Sequence, residues 1–140
     1  MNKDTPVLIG ALTCDQVITD KTVKHTLVGL FSNIYTGAFP AIHPRMTLFC
    51  AWLNREKDEK YKLKIFITAP QKNELAKIEG EIEFKKDKSI TYGIFNFNGV
   101  TFKEEGTHLF EVYLDEKKVV EVPIKIEKTN INIESSSTLN

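Results

Sequence analysis

The feature that most constrains this chain is the alternation in its last third. Across FKEEGTHLFEVYLDEKKVVEVPIKIE, Phe110, Val112 and Leu114 alternate with Glu111, Tyr113 and Asp115, and Val120, Val122, Ile124 and Ile126 resume the period after a charged turn at Asp115–Lys118. A period of two sends successive side chains to opposite faces, which a helix cannot reproduce, so the segment predicts two antiparallel strands. The same period recurs upstream. Tyr61, Leu63, Ile65 and Ile67 hold it, and Ile78, Gly80, Ile82 and Phe84 face away from Glu79, Glu81 and Glu83, as in a sheet with one solvated face.

Turn signals divide the rest into further strands. Val7 to about Ile18 and His25–Tyr35 flank the polar stretch Asp20–Lys24 and predict a long hairpin, with Gly29 marking a bulge or a close backbone approach. The segment GAFPAIHPR carries Pro40 and Pro44, which remove two backbone donors, and is predicted to cross from one sheet to the other. Strands at Arg45–Leu53 and Ile90–Val100 complete a set of about eight, the pattern of an all-β, antiparallel two-sheet sandwich. Pro123 cannot donate to a ladder, so its strand belongs at a sheet edge or a bulge. One domain over residues 1–127 and a flexible polar tail over 128–140 are expected, because the tail lacks the apolar content to order itself.

Composition narrows the partners. Lys plus Arg equals Asp plus Glu at 19 each, so no summed field draws the chain to nucleic acid or anionic lipid, and neither partner is expected. No run nears the roughly 20 apolar residues of a membrane helix, and Val7 to Leu12 is short for a signal segment, so the cytoplasm is the expected location. Cys14 and Cys50 are too few for a disulfide framework and lack redox or zinc spacing, although one bridge would be possible in an exported chain.

The closing residues G-T-H-L-F-E-V-Y-L-D and V-P-I-K-I resemble the final hairpin of immunoglobulin-like modules in bacterial proteins, with His108 where such sandwiches often place a corner tyrosine. More broadly, C-D-Q-V-I-T-D, L-V-G-L-F and F-P-A-I-H-P-R, in that order, resemble an uncharacterised family of small bacterial immunoglobulin-like β-sandwich proteins of unknown function. The resemblance implies the fold and brings no activity, cofactor or catalytic residue.

No residue pattern carries chemistry. His25, His43 and His108 fall on separate elements without metal-ligand spacing, Cys50 lies in the apolar run MTLFCAWL, and no glycine-rich phosphate loop exists, so no catalytic, cofactor-binding or metal residue is assigned. What stands out is apolar content on both faces of two strands. Met46, Leu48, Cys50 and Trp52 oppose Phe49, Ala51 and Leu53, while Tyr92 and Ile94 oppose Phe95 and Phe97. One face of each fills the core; the other is covered by the long first strand, the proline crossover or the tail, or it meets a partner. Phe49, Leu53, Phe95 and Phe97 are the expected interaction surface. The expected function is non-enzymatic binding, by a homodimer or to another protein. The alternatives are a metal-dependent or thiol enzyme using Cys14, Asp15, His25 or His43, and a carbohydrate-binding module built on Tyr92, Phe95 and Phe97.

Overall fold

The computed structural model describes residues 5–130. Nine strands follow in order: β1 (Val7–Thr19), β2 (His25–Leu30), β3 (Asn33–Thr36), β4 (Ala41–Leu53), β5 (Glu59–Thr68), β6 (Glu74–Phe84), β7 (Ile90–Phe102), β8 (Gly106–Leu114) and β9 (Lys117–Lys128). They form a four-stranded sheet, β2-β1-β4-β7, and a five-stranded sheet, β3-β9-β8-β5-β6. The first sheet places β4 between β1 and β7; the second runs β9-β8-β5-β6, with β3 added parallel to β9. That is the immunoglobulin-like arrangement, with consecutive strands β4 and β5, and β6 and β7, lying in opposite sheets. The expected fold class is therefore the observed one.

The count is nine because His25–Tyr35 is not one strand. The chain changes sheets in two residues: the Phe31 N–H donates to the Thr13 carbonyl in the first sheet, and the Ser32 carbonyl accepts from the Lys125 N–H in the second. The proline segment then carries the chain back to the first sheet, with β4 starting at Ala41, before the expected Arg45. Pro123 lies where β9 is flanked by β8 alone, since β3 begins its pairing at Lys125. The closing hairpin turns through Asp115 and Glu116, both at positive φ as a two-residue primed turn requires. The Asp115 carboxylate braces that turn by accepting from the Lys62 N–H at 2.7 Å.

The core lies between the sheets. Trp52 meets the Phe84 ring edge-on at 5.7 Å, Phe84 meets Tyr61 at 5.6 Å, and Phe97 meets Phe110 at 5.3 Å. The expected inward set Met46, Leu48, Cys50 and Trp52 is fully buried. On the opposite side of the molecule the five-stranded sheet shows solvent a charge ladder, with Lys60, Lys62 and Lys64 paired across from Glu83, Glu81 and Glu79.

His108, which stands where such sandwiches often place a corner tyrosine, is buried on the inner face of β8 with Phe102 edge-on at 5.0 Å. Its Nδ1 lies 3.1 Å from the Gly106 carbonyl, which can only accept, so Nδ1 carries the proton and Nε2 is buried without a partner. Burial holds its pKa below the ordinary histidine value of 6.5, against smaller opposing effects of Gly106 and Glu104. Below that pH the unfolded chain takes up a proton that the folded chain refuses, so stability is fully present above about pH 6.5 and declines as pH falls. Glu59 and Glu111, held below the carboxylate value of 4.5, add their loss only at lower pH. Urea midpoints at pH 7.5 and 5.5 are expected to separate for the native chain and to converge for His108→Phe; equal separation in both would refute the assignment.

Candidate functional site

Cross-strand register decides which side chains share a face, because directly paired residues project to the same side of a sheet. In β4 and β7 the pairs are Leu48 with Phe95 and Met46 with Phe97, and the β4 members are core residues. Phe95 and Phe97 therefore point inward. Phe97 is 4% exposed, and a side chain added at Gly93 would run into the Phe95 and Trp52 rings, which fill the same inner space. The expected surface must be corrected: Phe49 and Leu53 lie on the outer face, whereas Phe95 and Phe97 belong to the core. Tyr92, paired with Ala51, and Ile94, paired with Phe49, take their places outside. A phase signal was available, since Asn96 and Asn98 share the parity of Tyr92 and Ile94 and mark that side as solvent-facing.

The outer face of the four-stranded sheet is built as three rows. Val7, Leu53 and Ile90 form the first, Gly10, Ala51 and Tyr92 the second, and Leu12, Phe49 and Ile94 the third. Phe49 and Tyr92 stack with centroids 5.5 Å apart. Leu12 (50%), Leu53 (46%) and Tyr92 (48%) stay about half exposed.

Part of this face is covered from within the chain. β1 pairs with β4 only as far as Cys14, opposite Thr47. Continued straight, it would carry β2 away from Tyr92. Instead the His25 ring lies 5.0 Å from Tyr92 and 6.1 Å from Phe49, edge-on to both. The hairpin beyond Cys14 therefore folds back over the sheet as an arm; its five residues to Thr19 reach roughly 17 Å, enough to cover the four steps from Thr47 to Ala51. Near the bend, Gly29 has φ 70, and a Cβ there would collide with the Asp15 carboxylate. Gly29 thus marks a close approach, as its place in the sequence suggests, and only glycine takes that backbone without strain. At the arm's tip the Asp20 carboxylate accepts from the Thr22 and Lys24 N–H groups at 2.7 and 3.0 Å, and the Thr19 hydroxyl lies 2.9 Å from His25 Nδ1.

The residues considered for chemistry are dispersed. Asp15 and His43 share a shallow groove of about 370 Å³ with Phe31, Ile34 and Tyr35, but His25 is held at the aromatic face instead. Among the described residues no three of His, Cys, Asp and Glu gather into a metal-sized group. Cys14 pairs outward and Cys50 inward on neighbouring strands, and both are buried free thiols. Burial raises the Cys14 thiol pKa, with Asp15 adding to it, and pushes Cys50 up to about 12, so neither favours the thiolate. With Phe95 and Phe97 inside, the carbohydrate platform keeps Tyr92 alone. Among the described residues no helix is long and apolar enough to cross a membrane.

A model of a family of unknown function (DUF6941) matches residues 10–127. No curated protein matches the chain. Among solved structures it is similar to the alkylpurine DNA glycosylase AlkC of Pseudomonas fluorescens bound to DNA containing an abasic site analog, at 9% identity over 69% of this chain, with TM-score 0.47. The match spans only 28% of the glycosylase chain. It is also similar to an immunoglobulin-like protein from Pseudomonas aeruginosa, at 8% identity over 90% of this chain and 99% of that one, with TM-score 0.42.

Proposed function

The chain belongs to the DUF6941 family of unknown function, and we propose that it acts by binding rather than catalysis, through the outer face of its four-stranded sheet. The observation that carries this reading is the contrast between the two outer faces. One is a Lys–Glu ladder suited to water; the other presents three apolar rows with Leu12, Leu53 and Tyr92 half exposed beside the folded-back arm. Contiguous apolar surface of this kind marks contact sites on soluble proteins. The first occupant we propose is a second copy of the chain, in a homodimer held by hydrophobic contact, because the net charge of zero offers neither steering nor repulsion. Cytoplasmic residence is part of the proposal, and two buried free thiols fit it.

Light scattering across a concentration and salt series is expected to show a monomer–dimer equilibrium that high salt weakens by no more than a few-fold, since apolar contact carries most of it. Leu53→Lys and Leu12→Lys, both at half-exposed positions, should remain folded and shift the equilibrium to monomer. A monomer at every concentration, with both variants indistinguishable from the native chain, would refute self-association.

A further inference from the structure

Among the described residues β7 ends the four-stranded sheet and pairs with β4 alone. Among the described residues no other backbone group bonds to Ile90–Phe102, so every second N–H and C=O along its free side is open. Exposed edges are ordinarily protected by charge, proline or shortness. The edge strand of the other sheet follows this rule: β6 carries Glu74, Lys77, Glu79, Glu81 and Glu83. β2 and β3 are short, at 6 and 4 residues. β7 has none of these protections: its 13 residues, ITYGIFNFNGVTF, include no charge and no proline in a chain that is 27% charged. Its one irregularity is Gly99 at φ 68, near the far end.

We propose that the free edge of β7 pairs antiparallel with β7 of a second copy, joining two four-stranded sheets into one of eight strands. This rests on the self-association reading above and adds a second contact between copies, at the sheet edge, to the outer-face contact that Leu12→Lys and Leu53→Lys probe. Antiparallel self-pairing satisfies a closed two-fold axis, with the same strand contributed by both copies. Charge selects the same orientation. The turn before β7 holds Lys85, Lys86, Asp87 and Lys88, and the corner after it holds Lys103, Glu104 and Glu105. Antiparallel pairing brings the lysine-rich turn of each copy to the glutamate corner of the other, whereas parallel pairing would set like against like. A register centred on Asn96 brings the turn that carries Lys88 toward the corner that carries Glu104 of the second copy, since each lies just outside the strand and eight positions from Asn96 (96 − 88 = 104 − 96). Neither side chain has an ion pair among the described residues. At the centre, Asn96 Oδ1 accepts from the Thr47 hydroxyl at 2.7 Å, which leaves its amide N–H groups free for Asn96 across the axis. His25 sits above the outer face against the Tyr92 ring, and the arm comes beside the edge at its start, where Val23 and His25 line a groove with Lys85, Lys88, Ile90 and Thr91.

Residue-resolved hydrogen exchange tests the contact at protein concentrations below and above the dimer midpoint. The amides of Ile90–Asn98 that point away from β4 should slow by about tenfold or more on dimerisation, since newly paired strand amides are protected. Asn96→Lys, an exposed change that places two like charges at the axis, should leave the chain folded and abolish that protection. Lys88→Glu should weaken the dimer about fivefold, within the range of two exposed ion pairs, and the double variant Lys88→Glu with Glu104→Lys should recover it. A dimer whose β7 edge amides exchange freely would overturn edge pairing while leaving self-association intact. A strict monomer would overturn both.

Discussion

Trp52→Ala is expected to lower the unfolding free energy by about 3–5 kcal/mol, the range for deleting a fully buried large aromatic side chain. Trp52 has no exposed surface, lies opposite Leu8 on the inner face and packs against Phe84, so its loss opens a void where the two sheets meet. The sheets are held apart by their other residues and cannot collapse into that void, which adds a cavity cost to the lost transfer energy. One opposing effect is present: the indole N–H is buried without a partner, and removing it relieves a desolvation penalty, favouring the lower half of the range. Urea denaturation of the native chain, Trp52→Ala and Trp52→Phe would check this, with the phenylalanine variant retaining much of the stability. A loss below about 1 kcal/mol for the alanine variant is typical of surface positions and would contradict the inward face of β4.

The second large effect separates two positions on one strand. Phe97→Lys is expected to cost about 4 kcal/mol or more and to leave little folded protein, because it removes an aromatic ring packed on Phe110 and places an amine among the buried apolar residues of the core. Small domains are stable by only about 5–15 kcal/mol, so such a loss consumes much of the margin. Tyr92→Lys, five residues earlier, should change stability by about 1 kcal/mol or less, since Tyr92 is half exposed and a lysine stem can lie along the sheet with its amine in water. Thermal melts of the two variants side by side decide the matter. If Phe97→Lys folded normally while Tyr92→Lys did not, the phase of β7 would be reversed, and the outer face would be built from Phe95 and Phe97.

The candidate site was half legible. Phe49 and Leu53 fall on the outer face because their strand neighbours Met46, Leu48 and Trp52 make a continuous apolar set that a core must take. β7 offered no such decision: Tyr92 and Ile94 are as apolar as Phe95 and Phe97, and only Asn96 and Asn98 distinguish the two parities. His25 could not have been assigned to the site. It precedes Phe49 by 24 positions (49 − 25), and its role depends on an arm that folds back at a bend marked in the sequence only by Gly29.

What this sequence determined by itself is what local chemistry determines: a period of two in segment after segment, turns where Asp, Gly, Pro and Lys cluster, and therefore an all-β chain closing in the β8–β9 hairpin. The Glu79–Glu83 face and the Pro123 edge followed from the same reasoning, because a carboxylate seeks water and a proline cannot donate. Tertiary structure alone decided three things: that His25–Tyr35 divides between two sheets at Phe31 and Ser32, that Phe95 and Phe97 turn inward, and that the first hairpin lies over Phe49 and Tyr92. The physical reason is common to all three. Alternation defines two faces of a strand but not which one is buried, and a backbone N–H does not encode which sheet will accept it; register against distant strands supplies both.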